Sequence, residues 1–144
     1  MDSLFLDTNV LLDVITRREP FFGDSKKIWQ LVESGKWEGW ISAISFNNLH
    51  YVVRKLQDKE KADHAMVVLQ KLFQIAQVDS NTISESIELR FRDFEDAIQF
   101  ACAKKAGCQW LLTRIVEEYP ASVKPKAITP ADFLAREHHL SPDS

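Results

Sequence analysis

Apolar residues occur along the chain in two patterns, short continuous runs and positions spaced three or four apart. Continuous runs predict buried strands, and the wider spacing predicts amphipathic helices. The first run covers residues 3–6, the polar residues Asp7-Thr8-Asn9 follow, and helically spaced apolar residues then extend from Val10 to Ile15. This order predicts a buried strand, a turn and a short helix.

The same two patterns alternate to the end of the chain. We predict further strands at residues 37–42, around Val78, at residues 110–112 and, more weakly, at residues 127–128, with helices between them. Strands that alternate with helices favour a parallel sheet covered on both faces. We therefore predict one α/β domain over residues 1–144, a three-layer α/β/α arrangement around a central, mostly parallel sheet of about five strands. The tail is expected to fray from about residue 138.

Several residues with known capping preferences mark the predicted helix ends. We predict Ser45 as an N-cap, a capping box formed by Thr82 and Glu85, and Asp93 as the N-cap of a helix that ends at Gly107. The remaining boundaries are a helix over residues 59–75 and a last helix that begins at Pro130.

Composition and charge exclude several classes of protein. The 144 residues are 45% hydrophobic and 27% charged, which is typical of one globular domain. The apolar stretch near the N-terminus is too short for a signal peptide or a membrane span, so we expect a cytoplasmic protein without membrane contact. Cys102 and Cys108 match no zinc spacing and are expected to be free thiols. The net charge of -3 excludes a global positive field, so any nucleic-acid contact must be local.

Acidic residues occupy positions that could meet in the predicted sheet. Asp7 follows the first strand, Asp96 lies in the first turn of the helix before the fourth strand, and Glu117 and Glu118 come shortly after that strand. If the first and fourth strands are neighbours, Asp7, Asp96 and one glutamate converge at the carboxyl edge. Clustered carboxylates repel unless a cation lies among them, and their hard oxygen atoms suit magnesium or manganese.

Three motifs, the second of them in two segments, carry a resemblance to a known family. Residues 6–13, LDTNVLLD, resemble the opening motif of the PIN-domain family, the nucleases that include VapC-type toxins. Residues 94–99, FEDAIQ, and 111–114, LLTR, are similar to the second half of the family, and residues 128–134, ITPADFL, to its C-terminal stretch. The resemblance covers almost the entire chain, and the three motifs together, in this order and spacing, are a strong signal.

The resemblance implies a fold, an activity and a set of site residues. It implies about five parallel strands and a ribonuclease that cleaves RNA with water activated by Mg²⁺ or Mn²⁺. Asp7 would be the first metal ligand, Asp96 a further acid, and Glu118 falls where the family often has another. These three residues are the predicted catalytic residues and metal ligands. Four polar residues are predicted to contact the substrate or support the site: Asn9, Asn48, Thr113 and Arg114.

The chain departs from the family pattern at two positions. Residues 42–49, SAISFNNL, resemble the segment that normally supplies a glutamate or aspartate, and the aligned residue here is Asn48. The family usually places Asn or Asp after Thr113-Arg114, and this chain has Ile115. An amide can coordinate through its oxygen but brings no charge. We expect a partly degenerate site with weakened metal binding, for which Glu118 could compensate.

Simpler structural roles remain open for the same residues. Asp7 could serve only as a helix N-cap, and Asp96 could be favoured only by the helix dipole. Glu95 and Glu117 are expected to face solvent, and Asn48 could satisfy nearby backbone groups.

The resemblance also implies partners and leaves an alternative function. Family members of this type commonly form homodimers and are held inactive by a small antitoxin, so we expect an RNA substrate, an antitoxin and a homodimer. The alternative is a catalytically impaired PIN-like module that binds RNA or a protein through the same cleft. A phosphatase is less favoured because the chain has neither a glycine-rich phosphate loop nor a nucleophile motif.

Overall fold

The computed structural model describes residues 2–140, with side chains as far as residue 137. The predicted tail from about residue 138 therefore lies largely outside the described residues. The strands are β1 (Ser3–Leu6), β2 (Glu38–Ser42), β3 (Gln74–Ala76), β4 (Trp110–Leu112) and β5 (Lys126–Ile128). The helices are α1 (Thr8–Ile15), α2 (Phe22–Glu33), α3 (Ala43–Leu56), α4 (Lys59–Leu72), α5 (Ser80–Leu89), α6 (Phe94–Ala106) and α7 (Pro130–Leu140). A short 3-10 turn covers Val116–Glu118.

The five strands form one parallel sheet in the order β3-β2-β1-β4-β5. The predicted three-layer α/β/α fold is confirmed. The chain first builds the sheet outward from β1 through β2 to β3, and then returns to add β4 and β5 on the other side of β1. In sheets of this kind a crevice opens where the strand order reverses, beyond the carboxyl ends of the central strands. Here that point lies between β1 and β4.

Strand β1 is buried on both faces, which explains its continuous apolar run. Leu4 and Leu6 pack into the core formed with α1, α2, α3, α4 and α7, whereas Phe5 packs into the second core against α6. Successive side chains of a strand point to opposite faces, so one strand contributes to both layers. Burial of each such side chain is worth about 2 kcal/mol, and the strand is therefore a fixed support for the residue that follows it.

The strand registers bring three polar residues to the same edge of the sheet. Leu6 pairs with Leu112, so Asp7 and Thr113 follow at neighbouring strand ends. The backbone N–H of Asp7 donates to the Leu112 carbonyl over 3.0 Å and extends this pairing by one residue. On the other side of β1, strand β2 ends at Ser42, where α3 begins.

The start of α3 differs from the prediction. Ser42, not Ser45, is the N-cap, because its Oγ accepts a hydrogen bond from the Ile44 backbone N–H at 3.2 Å. Ser45 is buried within the first turn of the helix. Both serines precede the apolar spacing of α3, so the pattern alone could not distinguish them.

Three further boundaries were also predicted wrongly. Helix α4 ends at Leu72 rather than at residue 75, and the third strand is Gln74–Ala76 rather than around Val78, because these residues pair with β2. The capping box of α5 joins Asp79 and Thr82, not Thr82 and Glu85. The predicted ends at Asp93, Gly107 and Pro130 are confirmed.

The state of the cysteines and the length of the helices can be compared with the predictions. Both cysteines are free, as predicted. Both are also buried, and burial raises the pKa of the Cys108 thiol to about 11. No helix in residues 2–140 combines the length and the apolar character needed to cross a membrane.

Candidate active site

Asp7 is buried at the carboxyl end of β1 and has two roles. Its Oδ1 accepts a hydrogen bond from the Asn9 backbone N–H at 3.0 Å, so Asp7 is the N-cap of α1. Its Oδ2 accepts one from the Thr113 hydroxyl at 3.0 Å and another from the Tyr119 hydroxyl at 3.0 Å. The N-cap role is therefore real, but it engages only one of the two carboxylate oxygens.

Tyr119 brings Asp7 and Asp96 together. The Tyr119 hydroxyl lies 3.0 Å from Asp7 Oδ2 and 3.3 Å from Asp96 Oδ1. Asp96 lies in the first turn of α6, where Asp93 caps the helix, and its side chain is buried. The two carboxylates thus share one hydroxyl, although they lie far apart in the sequence.

Glu118 adds a third carboxylate to this group. Its side chain is exposed on the 3-10 turn and contacts Asp96. Burial, followed by the charge of Asp7 and the contact with Glu118, raises the pKa of Asp96 to about 8. The protonated form of Asp96 is therefore favoured at neutral pH when no cation is present. Burial and the neighbouring carboxylates also raise the pKa of Tyr119, which keeps its hydroxyl neutral.

A second polar cluster adjoins the first and contains Glu95. Glu95 Oε2 accepts hydrogen bonds from the Asn48 amide nitrogen at 2.8 Å and from the Thr8 hydroxyl at 2.9 Å. The Thr8 hydroxyl also lies 2.7 Å from Ser45 Oγ. The expectation that Glu95 faces solvent was wrong, since it is half-buried and joins α6 to α1 and α3. The Asn48 amide binds this carboxylate rather than nearby backbone groups.

Gln99 connects the two clusters. Its Oε1 accepts a hydrogen bond from the Thr8 backbone N–H at 2.9 Å, and its Nε2 lies 3.5 Å from Asp7 Oδ1. The side chain is almost completely buried. Buried polar side chains normally have such partners, and here the amide fixes the turn between β1 and α1 relative to α6.

Sequence reasoning missed the roles of Gln99 and Tyr119. Gln99 is a polar residue three positions after Asp96 in a helix whose other central positions are apolar, which is a detectable signal for an inward polar contact. Tyr119 follows two glutamates in a segment expected to be an exposed loop, so nothing in the local pattern indicated that its side chain would be buried.

The other predicted site residues are placed differently. Arg114 forms an ion pair with the fully buried Asp13, including a 2.7 Å bond from its Nε to Asp13 Oδ2, and its guanidinium lies 4.3 Å from the centre of the Phe21 ring. The predicted contact of Arg114 with a phosphate stays a prediction. In the described structure the guanidinium is already bound to Asp13 and packed on Phe21. The Asn9 side chain is exposed beside Asp7, and Ile115 is exposed on the rim without contributing a ligand atom.

An open groove runs past the exposed side of the carboxylates. It is lined by Arg92, Asp93, Asp96, Glu117 and Glu118. Another cleft, between α1, α2 and α4, has a more apolar lining than this groove. It contains none of the clustered acids. The acidic groove is the candidate site because it contains Asp96, a buried acid whose raised pKa is of the kind found at functional sites.

The donor chemistry of the site fits a hard divalent cation. Asp7, Asp96 and Glu118 supply carboxylate oxygens, and no described basic side chain forms a salt bridge with any of them. The described residues contain no group of three His, Cys, Asp or Glu side chains already arranged to hold a metal ion. Four donors already surround the two carboxylate oxygens of Asp7. Asp7 can accept a cation only by giving up one of these hydrogen bonds.

Comparison with known proteins gives consistent relatives. The chain is 25% identical over 140 residues to ribonuclease VapC1 of Aquifex aeolicus (strain VF5). This alignment covers 94% of this chain and 95% of that protein. The VapBC complex of Salmonella typhimurium bound to DNA has a TM-score of 0.69 at 16% identity, over 90% of this chain and 99% of that chain. A toxin–antitoxin complex from Klebsiella pneumoniae has a TM-score of 0.65 at 22% identity, over 88% of this chain and 97% of that chain.

A third solved structure, the toxin VapC20 of Mycobacterium tuberculosis, which cleaves the sarcin-ricin loop, has a TM-score of 0.63 at 19% identity. It covers 75% of this chain and 86% of that chain. At these identities the solved structures establish the fold. A family model described as the PIN domain matches residues 3–115, which is most of the chain and includes Asp7, Asn48 and Asp96. The chain therefore belongs to the PIN domain family.

Proposed function

We propose that this protein is a ribonuclease of the VapC toxin type, which acts with Mg²⁺ or Mn²⁺ bound by Asp7, Asp96 and Glu118. The observation that carries the proposal is the position of the Tyr119 hydroxyl, 3.0 Å from Asp7 and 3.3 Å from Asp96. Asp7 and Asp96 are buried acids without a basic partner, and keeping both of them ionised costs stability unless a cation is bound in the working protein.

A bound divalent ion would lower the pKa of a water molecule and neutralise charge on the scissile phosphate. The chain's own residues would prepare the site for that ion. The Thr113 hydroxyl and the Asn9 backbone N–H orient the two oxygens of Asp7. Gln99 holds the turn that carries Asp7 against α6. Glu118, being exposed, would complete the ligand set from the substrate side of the groove.

The RNA substrate would approach along the acidic groove. The chain has a net charge of -3, so phosphate binding depends on local cations rather than on a general field. Arg92 lines the groove and is the better placed phosphate contact, whereas Arg114 would first have to leave Asp13. Asn9 is exposed beside Asp7 and could donate to a sugar or phosphate oxygen.

We also propose partners and a location of the kind expected for this class. Structures with the same fold include toxin–antitoxin complexes, which supports a small antitoxin as the inhibitory partner of this chain. We further propose a homodimer that works in the cytoplasm.

One alternative function has specific observations in its favour. A catalytically impaired PIN-like module would bind RNA or a protein through the groove without cleaving RNA. Asn48 and Ile115 stand where the family pattern has acidic or polar residues, and Asp7 is surrounded by four donors.

Metal titration with matched variants distinguishes the two functions. Mn²⁺ binding is measured by electron paramagnetic resonance for the wild type, Asp7→Asn and Glu85→Gln, an exposed acid on α5 that serves as the charge control. The same proteins are assayed against a varied RNA pool. We expect the wild type and the control to bind Mn²⁺ at micromolar to millimolar concentration and to cleave RNA, and Asp7→Asn to lose both. Equal behaviour of the wild type and Asp7→Asn in both assays would exclude the enzyme.

A further inference from the structure

Glu95 is held at a fixed position by residues from two other helices. The Asn48 amide on α3 and the Thr8 hydroxyl on α1 both donate to Glu95 Oε2, at 2.8 and 2.9 Å. No hydrogen-bond partner for the other oxygen, Oε1, is found among the described residues. The side chain is thus oriented through one oxygen, while the other remains available to a ligand.

Within the described residues, the negative charge of Glu95 is favoured by the N-terminal end of α6 but has no basic side chain as a partner. No Lys, Arg or His among the described residues forms a salt bridge with it. A glutamine side chain would accept the same two hydrogen bonds through its carbonyl oxygen. A half-buried carboxylate loses part of its hydration, so an unpaired charge here is unfavourable unless a cation is attracted to it.

A chain of hydrogen-bonding side chains links Glu95 to the candidate metal site. Glu95 and Asp96 are consecutive residues in the first turn of α6. From Glu95 the network continues through the Thr8 hydroxyl to Gln99 Oε1 at 3.3 Å, and from Gln99 Nε2 to Asp7 Oδ1 at 3.5 Å. Asn48, which anchors Glu95, is also the position at which the sequence lacks the expected acid.

We propose that Glu95 is a further carboxylate of the active site, which supplies toward the divalent cation the negative charge that Asn48 lacks. Asn48 and Thr8 are then positioning residues that hold this carboxylate. The inference rests on the proposed metal-dependent function and deepens it, since it moves one acid of the site from α3 to α6.

An exchange of the two side chains tests this role. Glu95→Gln removes the charge and keeps the hydrogen-bond acceptor. The double variant Asn48→Asp with Glu95→Gln moves the carboxylate to α3 and restores an amide–carboxylate pair with the roles reversed. Glu117→Gln, on the rim of the same groove, measures the general effect of one lost negative charge.

Mn²⁺ affinity, measured by electron paramagnetic resonance, is the readout, and thermal unfolding checks the fold. Because the charge of the ligand set tunes cation affinity, Glu95→Gln should weaken binding on the order of 10-fold and Glu117→Gln about 2-fold or less. The exchange variant should recover most of the loss. The melting temperature of Glu95→Gln should stay close to that of the wild type.

Each outcome has a defined consequence. If Glu95→Gln binds Mn²⁺ like the wild type or only as weakly as Glu117→Gln, while Asp7→Asn loses binding, this inference is wrong and the proposed function stands. If Glu95→Gln unfolds, the exchange variant decides, and a folded exchange variant without recovered affinity overturns the inference. If the wild type itself binds no Mn²⁺, the proposed function fails, and the role of Glu95 fails with it.

Discussion

Tyr119 donates a hydrogen bond over 3.0 Å to Asp7, a residue 112 positions away in sequence. The same hydroxyl contacts Asp96, so it lies between two acids that a metal ion would have to join. The hydroxyl has one proton and can donate it fully to only one of the two acids at a time. It therefore stabilises the pair less than a bound cation would. A cation that binds both acids would have to displace this hydroxyl from at least one of them.

Replacement of Tyr119 by phenylalanine should separate stability from metal binding. Loss of a hydrogen bond to a charged group should lower the free energy of unfolding of the metal-free protein by about 2 kcal/mol. Mn²⁺ affinity should stay the same or increase, because an oxygen of Asp7 becomes available. Urea unfolding and Mn²⁺ titration measure the two effects. Tyr51→Phe, at an exposed tyrosine, is the control and should change neither. Weaker Mn²⁺ binding by Tyr119→Phe would instead make the phenol part of the metal site.

Replacement of Arg114 by methionine tests whether this residue supports the fold or binds phosphate. Asp13 is fully buried and would lose its partner, so the free energy of unfolding should fall by about 3 kcal/mol. Lys59→Met breaks the exposed pair with Asp63 and should change stability by less than about 1 kcal/mol. Urea unfolding of both variants gives the comparison. Unchanged stability of Arg114→Met together with reduced RNA affinity would contradict our account and support the phosphate contact predicted from sequence.

The two buried thiols should resist labelling until the protein unfolds. Burial raises the pKa of Cys102 and raises that of Cys108 to about 11, so both remain protonated in the folded protein at mildly alkaline pH. A disulfide reagent at pH 8 should therefore label neither thiol in the native protein and both after addition of denaturant. The pKa of Cys108 is higher in the folded protein than in the unfolded chain, so the free energy of unfolding should decrease with rising pH. The stabilising effect of the protonated thiol is fully present below about pH 9 and is lost as the pH rises through about 11. Rapid labelling of the native protein would contradict the buried placement.

The parts of the site that follow from strand ends were predictable from sequence, whereas side-chain directions were not. Asp7 and Thr113 come directly after buried apolar runs, and parallel strands bring such residues to one edge. Glu95 and Asp96 are adjacent in sequence and both lie in the first turn of α6, so periodicity alone could not show that Glu95 contacts Asn48 while Asp96 contacts Tyr119. Tyr119 depends on a tertiary contact across a 3-10 turn, for which the sequence has no periodic signal.

The two serines before α3 illustrate the same limit. Serine is a favourable N-cap residue, so either Ser42 or Ser45 could cap the helix. Strand β2 ends at Ser42, so α3 begins directly after it and Ser42 is the cap. Ser45, displaced into the first turn, contacts Thr8 beside Glu95 instead. An error of three residues in a helix boundary therefore concealed part of the site network.

The most direct test of the central claim is a crystal of the wild-type protein soaked in Mn²⁺ and measured for anomalous scattering. Our account predicts a manganese peak between the carboxylates of Asp7, Asp96 and Glu118, with the Tyr119 hydroxyl moved away from at least one of the two aspartates. A saturated crystal with an accessible groove and no anomalous peak at these carboxylates would contradict it.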